Sequence, residues 1–321
     1  MRCLTVTCNA AVDTTYVLDR LEPGGINRVE RALPAPGGKG NNVARVLATL
    51  GHTVVATGFA GGHTGRFIED GLRARGVEPA FVPVAGASRV CLTMVERETG
   101  RITEIREPGA AVTETDAARL LDLVRRLAGE VDVVVVSGSL APGLPADFSA
   151  SLLGAARRDG VSVAFDAGGE TLRLGLAGGP DLIAPNREEL AELIGPVGRR
   201  ANDDELIAAV RSRVIGSMLG ASADVLLTVG GDGAALIRRD RVYRAVAPAV
   251  DVVNTVGCGD ALLAGFLDAR SRTGDDREAL GHAVAVGTAA ALQAEVGMVN
   301  VGDIARLRAL VRVSEGLGRA A

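Results

Sequence analysis

The sequence predicts an α/β protein in which a mostly parallel central sheet is covered by helices on both faces, with a smaller sheet beside it. Three observations carry that expectation. Short β-rich runs alternate with segments of helical period over most of the chain, as parallel βαβ units require. Several runs, VDVVVVSG (131–138) above all, are continuously apolar rather than alternating, which is how a strand buried on both faces reads. The chain has 321 residues, of which 47% are hydrophobic, enough for a large interior at a length where one core or two are both feasible.

Taken in order, the expected strands are LTVTC (4–8), TVVATGF (53–59), VEPAFVPV (77–84), VDVVVVSG (131–138), VSVAFD (161–166), DLIAPN (181–186) and ADVLLTVG (223–230). Apolar residues at helical spacing mark 40–50, 64–75, 113–128, 147–159, 187–194 and 202–219, and after Gly257 the pattern is almost wholly helical to the end. Gly and Pro at 178–180 and 195–198 read as loops. Two stretches, 12–36 and 88–107, break the alternation with extended, polar-alternating patterns and turn residues, including Thr99-Gly100. They predict a small antiparallel sheet that projects as a lid or an interface. In a parallel sheet the ligand crevice lies at the carboxyl ends of the strands.

Composition removes several functions. Net charge is −4, from 35 basic and 39 acidic residues, without a long basic run, so neither nucleic acid nor an anionic membrane is an expected partner. Aromatic residues make up 2% and Trp is absent, which leaves no stacking platform for single strands. No apolar run approaches the ~20 residues of a membrane span, and the start MRCLTVTCNA lacks the charged and apolar regions of a secretion signal. A soluble, cytoplasmic protein is expected. The three histidines and four cysteines show no metal-ligand spacing, and Cys3, Cys8, Cys91 and Cys258 read as buried, reduced thiols. Cys3 and Cys8 point to opposite faces of one strand.

Six segments carry candidate chemistry. Asn254-Thr255-Val256-Gly257-Cys258-Gly259-Asp260 leads into a helix, so backbone amides and the helix dipole form an anion site. Asp260 in that first turn can take a proton from an attacking hydroxyl while the amides of 257–260 meet the charge on a transferring phosphoryl group. The same pattern also serves as an ordinary helix start. Gly37-Gly38-Lys39-Gly40-Asn41-Asn42 opens another helix, with Lys39 a cation where only a nearby anion makes one favourable. It is not a Walker A loop. Asn9 and Asp13 flank the end of the first strand, where Asp13 can accept from sugar hydroxyls or close an Asx turn. Ser137-Gly138-Ser139 ends the apolar strand at the ligand edge. Asn186 and Glu189 fit a capping box or a place beside a solvated Mg²⁺. Thr228, Gly230 and Gly233 form a glycine turn, either a hairpin loop or a surface for a nucleotide.

The order of these segments resembles the PfkB family of ribokinase-like carbohydrate kinases from about residue 4 to 298, with GGKG and GxGD the specific parts. The resemblance implies a ribokinase-like three-layer α/β/α kinase domain over 1–321 with a β-lid from about 12–36 and 88–107, which often pairs two subunits into a homodimer. It implies Asp260 as catalytic base with Gly257, Cys258 and Gly259 as anion hole, Cys258 standing where relatives usually have Ala. Asp13, Gly38 and Asn42 correspond to sugar contacts, with Ser139 on the substrate side. Asn186 and Glu189 match the Mg²⁺–phosphate motif, acting on the metal through water or ATP phosphates. Thr228, Gly230 and Gly233 match the nucleotide loop. Lys39, Arg89 and Arg28 resemble the phosphosugar kinases and would place cations at a substrate phosphate, which a neutral sugar would leave uncompensated. Two departures stand out: Ala184 replaces a Lys expected at ATP, and Arg106 replaces a lid Asn.

The expectation is ATP-dependent, Mg²⁺-assisted phosphorylation of fructose 1-phosphate. Tagatose 6-phosphate is the alternative, since residues 294–300 resemble the kinases of that sugar. A catalytically weak ligand-binding regulator on a kinase fold is a rival from another class, and a dehydrogenase is disfavoured because no GxGxxG follows the first strand.

Overall fold

In a computed structural model, which describes residues 1–195, 203–219 and 223–316, the apolar runs form the middle of a sheet with both faces covered. The chain begins β1 (Arg2–Thr7), β2 (Ala11–Leu18), β3 (Arg31–Gly37), α1 (Lys39–Thr49), β4 (Thr53–Ala60) and α2 (Gly62–Arg73). It continues β5 (Val77–Pro79), β6 (Val82–Pro83), β7 (Arg89–Glu96), β8 (Ile102–Arg106), α3 (Glu114–Leu127), β9 (Val133–Ser137) and α4 (Phe148–Ala156). Then come β10 (Ser162–Asp166), α5 (Gly169–Gly175), β11 (Leu182–Ile183), α6 (Arg187–Ile194) and α7 (Asp203–Ala209), which runs on as a π-helical stretch, Val210–Ile215. The chain closes with β12 (Asp224–Thr228), β13 (Ala234–Ile237), β14 (Val242–Val246), α8 (Cys258–Thr273), α9 (Asp276–Ala291), α10 (Val301–Arg308) and β15 (Arg312–Gly316).

The central sheet runs β15-β14-β13-β12-β11-β10-β9-β1-β4-β5, with β6 also on β4. From β5 to β12 all pairings are parallel, and from β12 to β15 they are antiparallel. Residue alternation splits the core into two layers. Cys3, Val133, Val135 and Ala164 pack against α1, α2, α8, α9 and α10. Leu4, Val134, Val136 and Phe165 pack against α3 to α7. The three-layer α/β/α expectation therefore holds, and Cys3 and Cys8 do enter opposite layers.

Several boundaries differ for physical reasons. The run 77–84 divides into β5 and β6 because Pro79 and Pro83 cannot donate to the ladder. The chain after Gly257 is not helical to its end: β15 is an edge strand whose pairing with β14 gives it the extended form. α5, β13 and β14 were not expected from periodicity. Residues 196–198 of the loop at 195–198, and residues 202 and 220–222 around the helix expected at 202–219, lie outside the described residues.

The second sheet, order β3-β2-β7-β8, comes from the two stretches that broke the alternation. It is mixed rather than antiparallel: β2 pairs β7 in parallel over Ala11–Leu18, whereas β3 and β8 pair antiparallel. β2 and β7 both leave the carboxyl edge of the central sheet, one after β1 and the other after β4 and β6, so they run the same way.

Candidate active site

The site assembles where two helices begin over the carboxyl ends of the strands. Gly257 opens α8 in the left-handed region, φ +79°, which glycine adopts without steric cost. A Cβ there would stand 2.8 Å from Val296 Cγ1. The first-turn amides of Gly259 and Asp260 have no acceptor within the helix and, with the dipole, favour an anion. Asp260 is buried, and its Oδ2 accepts a 2.8 Å hydrogen bond from Asn42 Nδ2 of α1. Burial first, and then the Asp166 charge, push the Asp260 carboxyl up to about 7, against the opposing pull of Lys39 and Asn42. A base near neutrality suits proton transfer from a hydroxyl.

Gly38 precedes α1 at φ +98°, packed on Thr7, and its amide donates to Asp13 Oδ2 at 3.3 Å. Gly37 is required by that approach, since a Cβ would fall 2.1 Å from the Asp13 carboxylate. Burial raises the Asp13 pKa, while the Gly38 amide, Arg89, Arg45 and Arg106 oppose it. Lys39 turns toward the carboxylates, with Nζ 3.0 Å from Asp166 and 3.7 Å from Glu189. Burial lowers its pKa, but Asp166, Asp260 and Glu189 together outweigh burial and leave it raised.

The lid supplies the other wall. Arg89 donates to the carbonyls of Asn9 (3.1 Å) and Glu107 (3.3 Å) rather than pairing with Glu96 or Glu104. The register Asp13–Cys91–Arg106 sets one residue of β2, β7 and β8 side by side, and Arg106 meets Glu104 at 2.6 Å. Opposite, Asn186 and Glu189 complete the capping box of α6: Asn186 Oδ1 accepts from the Glu189 amide (2.8 Å) and Glu189 Oε2 from the Asn186 amide (2.9 Å). Thr228 bridges to Asn186, and the Gly230–Gly233 turn needs Gly233 at φ +110°, where a Cβ would strike Ala245 O. Ala247, Pro248, Ala249, Val250 and Val252 add an apolar wall beside that turn.

One cavity of about 800 Å³ joins these parts. Asp13, Gly38, Lys39, Asn42 and Arg89 line it, as do Asn186, Glu189, Thr228, Gly230, Gly233 and the Gly257–Asp260 turn. Arg28 and Ser139 do not: Arg28 is exposed between β2 and β3, and Ser139 faces solvent beyond β9. In that loop Ser137 is the one turned inward, donating 2.8 Å to Asp166 Oδ2. Asn9 holds the Pro108 and Leu140 carbonyls instead of facing the cavity. Among the lining residues, Asp166 was left unassigned by the sequence, and Arg106 was noted there only as a departure from the family pattern. Asp166 ends a parallel strand just as Asp13 follows one, and that position was the available signal. The four cysteines are free, but only Cys3 and Cys8 are buried; Cys91, within β7, and Cys258, the first residue of α8, are half-buried in the cavity wall. Burial holds Cys258 up at about 12, a neutral thiol.

Among the described residues no cluster of three or more His, Cys, Asp or Glu side chains forms a metal cage. Asn186 Oδ1 and Glu189 Oε2 are spent on backbone amides, while Glu189 Oε1 and Asp166, which also line the cavity, are shared with Lys39 and, for Asp166, with Ser137. That donor set fits a hydrated Mg²⁺ carried on phosphates, which keeps most of its waters, rather than a bare ion.

Residues 6–299 match the pfkB family carbohydrate kinases. The chain belongs to that family. Among solved structures, phosphofructokinase-2 from Escherichia coli in complex with substrates and products is 28% identical, with a TM-score of 0.86, covering 97% of this chain and 99% of that one. A Thermotoga maritima protein described as a possible 1-phosphofructokinase is 25% identical, with a TM-score of 0.87 over 98% and 100% of the two chains. Arabidopsis thaliana ribokinase, complexed with ribose and ATP, shares the fold at 22% identity and a TM-score of 0.72, over 95% of this chain and 98% of that one. The kinase thus has the ribokinase-like architecture of a sugar kinase, and no helix among its described residues is long and apolar enough to cross a membrane.

Proposed function

We propose that this sugar kinase transfers the γ-phosphoryl group of ATP to a primary hydroxyl of a ketohexose phosphate, fructose 1-phosphate first, with Mg²⁺ carried on the ATP phosphates. The observation that carries the reading is the opposition, across one cavity, of a buried Asp260 at a helix mouth and the lid cations Arg89 and Arg106. A sugar held by Asp13, Gly38 and Asn42 presents its hydroxyl to Asp260, which takes the proton as the oxygen attacks. The amides of Gly259 and Asp260 receive the charge on the transferring group, the Cys258 amide being bonded to Thr255 O. Bound Mg²⁺ would neutralise phosphate charge, with Asp166 and Glu189 ordering its waters. Lys39, fixed between those carboxylates, faces the transferring phosphoryl, while Arg89 and Arg106 face the phosphate already on the sugar. The apolar wall at 247–252 accommodates the nucleotide base beside Gly230–Gly233. We also place the protein in the cytoplasm and read residues 1–321 as one kinase domain that dimerises through its lid.

Tagatose 6-phosphate is the second substrate reading, and fructose 6-phosphate joins it because E. coli phosphofructokinase-2 is known in complex with that sugar. Ala184, in the cavity wall where the family resemblance implies a Lys, is the feature that favours a catalytically weak regulator. ADP release on adding ATP with fructose 1-phosphate, fructose 6-phosphate, tagatose 6-phosphate and free fructose separates these. Equal kcat/KM for fructose and its phosphates would overturn the phosphosugar reading, and no ADP with any sugar would overturn the kinase reading.

A further inference from the structure

Arg45 is among the largest fully buried side chains, and it does not line the cavity. It lies in α1 three residues after Asn42, on the same helix face. Its Nη2 meets Glu295 Oε1 at 2.5 Å, and its Nη1 donates 3.3 Å to the carbonyl of Pro36, at the turn that abuts Asp13. Glu295 is held from outside as well, by Arg75 at 2.6 Å.

The segment around Glu295 is bound to the loop that leads into α8. Asn254 Nδ2 donates to Ala294 O at 3.1 Å, and the amides of Val253 and Asn254 both donate to Ala291 O. Val296 packs on Gly257. Gly297, at φ +69°, comes so near α1 that a Cβ would lie 3.0 Å from both Asn42 Oδ1 and Arg45 Nη1. On the other side a Cβ at Gly257 would lie 3.7 Å from Asn42 Nδ2. The Asn42 amide is thus confined between two glycines. Among the described residues its buried Oδ1 has no partner, and its only side-chain hydrogen bond is the one donated to Asp260.

We infer that Arg45 and Glu295 are positioning residues, an ion-paired clamp that presses the 294–297 segment onto Asn42 and thereby fixes the amide that orients the Asp260 carboxylate. Neither touches the reacting atoms. Arg45→Met keeps the volume and leaves Glu295 paired to Arg75, so no buried charge is orphaned.

The test is a ¹³C NMR titration of the Asp260 carboxyl, assigned with Asp260→Asn, in ligand-free protein. The charged groups facing Asp260, namely Asp166, Lys39 and Asp13, stay the same in every variant. Losing the Asn42 donor should raise the Asp260 pKa by roughly half to one unit in Asn42→Ala, and Arg45→Met should raise it similarly. The double variant should show no further rise. Gly297→Ala, which changes no charge, should shift it the same way, and Arg45→Lys should restore part of the wild-type value. In turnover, Arg45→Met should lower kcat on the order of 10- to 100-fold and raise KM for the sugar, which Asn42 also holds, while KM for ATP barely moves. A folded Arg45→Met with the wild-type titration overturns the clamp. So does a shift that persists in full on the Asn42→Ala background, since the guanidinium charge would then act directly. Should Arg45→Met fail to fold, Gly297→Ala and Glu295→Gln decide by the same titration. The turnover arm rests on the kinase reading and the titration does not: a shift as expected without phosphorylation of any sugar retires that reading and keeps the clamp.

Discussion

A carboxyl can serve as a base only while it is ionised, and at Asp260 burial and the Asp166 charge resist ionisation. The limb of kcat/KM that reports Asp260 should therefore climb about tenfold per pH unit up to about 7 and level off above it. Asp260→Asn should lose turnover by a factor on the order of 10² or more while keeping the fold, and near-wild-type turnover in a folded variant would sink the assignment. The same shift has a thermodynamic side. The folded carboxyl keeps its proton up to about 7 and the unfolded one releases it near 3.8, so native protein holds more protons in between and stability falls as pH rises through that window. Asp260→Asn should match the wild type in stability below pH ~4 and exceed it increasingly toward pH ~8, by at most about 4 kcal/mol, as thermal melts across pH would show. For substrate charge, Arg89→Ala or Arg106→Ala should raise KM for the phosphosugar roughly 10- to 150-fold, since charge-assisted hydrogen bonds contribute about 1.5–3 kcal/mol. KM for ATP should barely move; equal effects on both would remove the lid from phosphate recognition. Residues such as Asp260 and Asn42 were legible because glycines announce the helix starts that hold them. Asp166 was not, because a carboxylate closing an apolar strand carries no local mark of the Lys39 and Ser137 it meets in space.

Among elements, the buried parallel strands were the most legible, because a run like Val133–Val136 has only one kind of environment that suits it. β13, β14 and β15 were obscure: they are short, and partners on neighbouring strands define them more than their own composition does. The lid was found by its departure from the βαβ rhythm, but the parallel pairing of β2 with β7 depends on where both strands leave the central sheet. A four-stranded sheet this small needs cover on its open face. Ile105 on β8 is 54% exposed, and Ile26 between β2 and β3 is 83% exposed. E. coli phosphofructokinase-2 has a tetrameric inhibited form, so a relative of this fold does assemble. If the lid pairs two subunits, Ile105→Lys should convert the dimer to monomer in light scattering after gel filtration while leaving far-UV circular dichroism unchanged. A wild-type monomer would refute the pairing, and a variant that stays dimeric would move the interface elsewhere.

At the scale of the molecule, the two core layers were foreseeable from alternation along single strands, whereas the gathering of distant segments onto one sheet edge was foreseeable only as a rule about carboxyl ends. If the cavity binds ATP with Mg²⁺, nucleotide at about 100 Kd should stabilise the fold by roughly 2.7 kcal/mol, visible as a rise of several degrees in Tm. No rise at millimolar nucleotide would count against the site. The bond from Asn42 to Asp260 spans 218 residues of sequence, and that span has a consequence during synthesis. While the ribosome is still adding residues, β1, α1 and β4 can already meet, but the face of the sheet destined for α8, α9 and α10 lies bare. A nascent chain halted before residue 258 has its Gly37–Gly38 turn and its small sheet, yet lacks the Asp260 carboxyl and the α8 amides to which the proposed mechanism gives the roles of base and anion site. Such fragments should hydrolyse and transfer nothing, and should bind chaperones and aggregate through Leu236 and Tyr243 of β13 and β14, which α9 covers in the finished fold. Catalytic competence arrives only with the last fifth of the polypeptide, so a premature stop anywhere upstream yields an inert product rather than an uncontrolled ATPase.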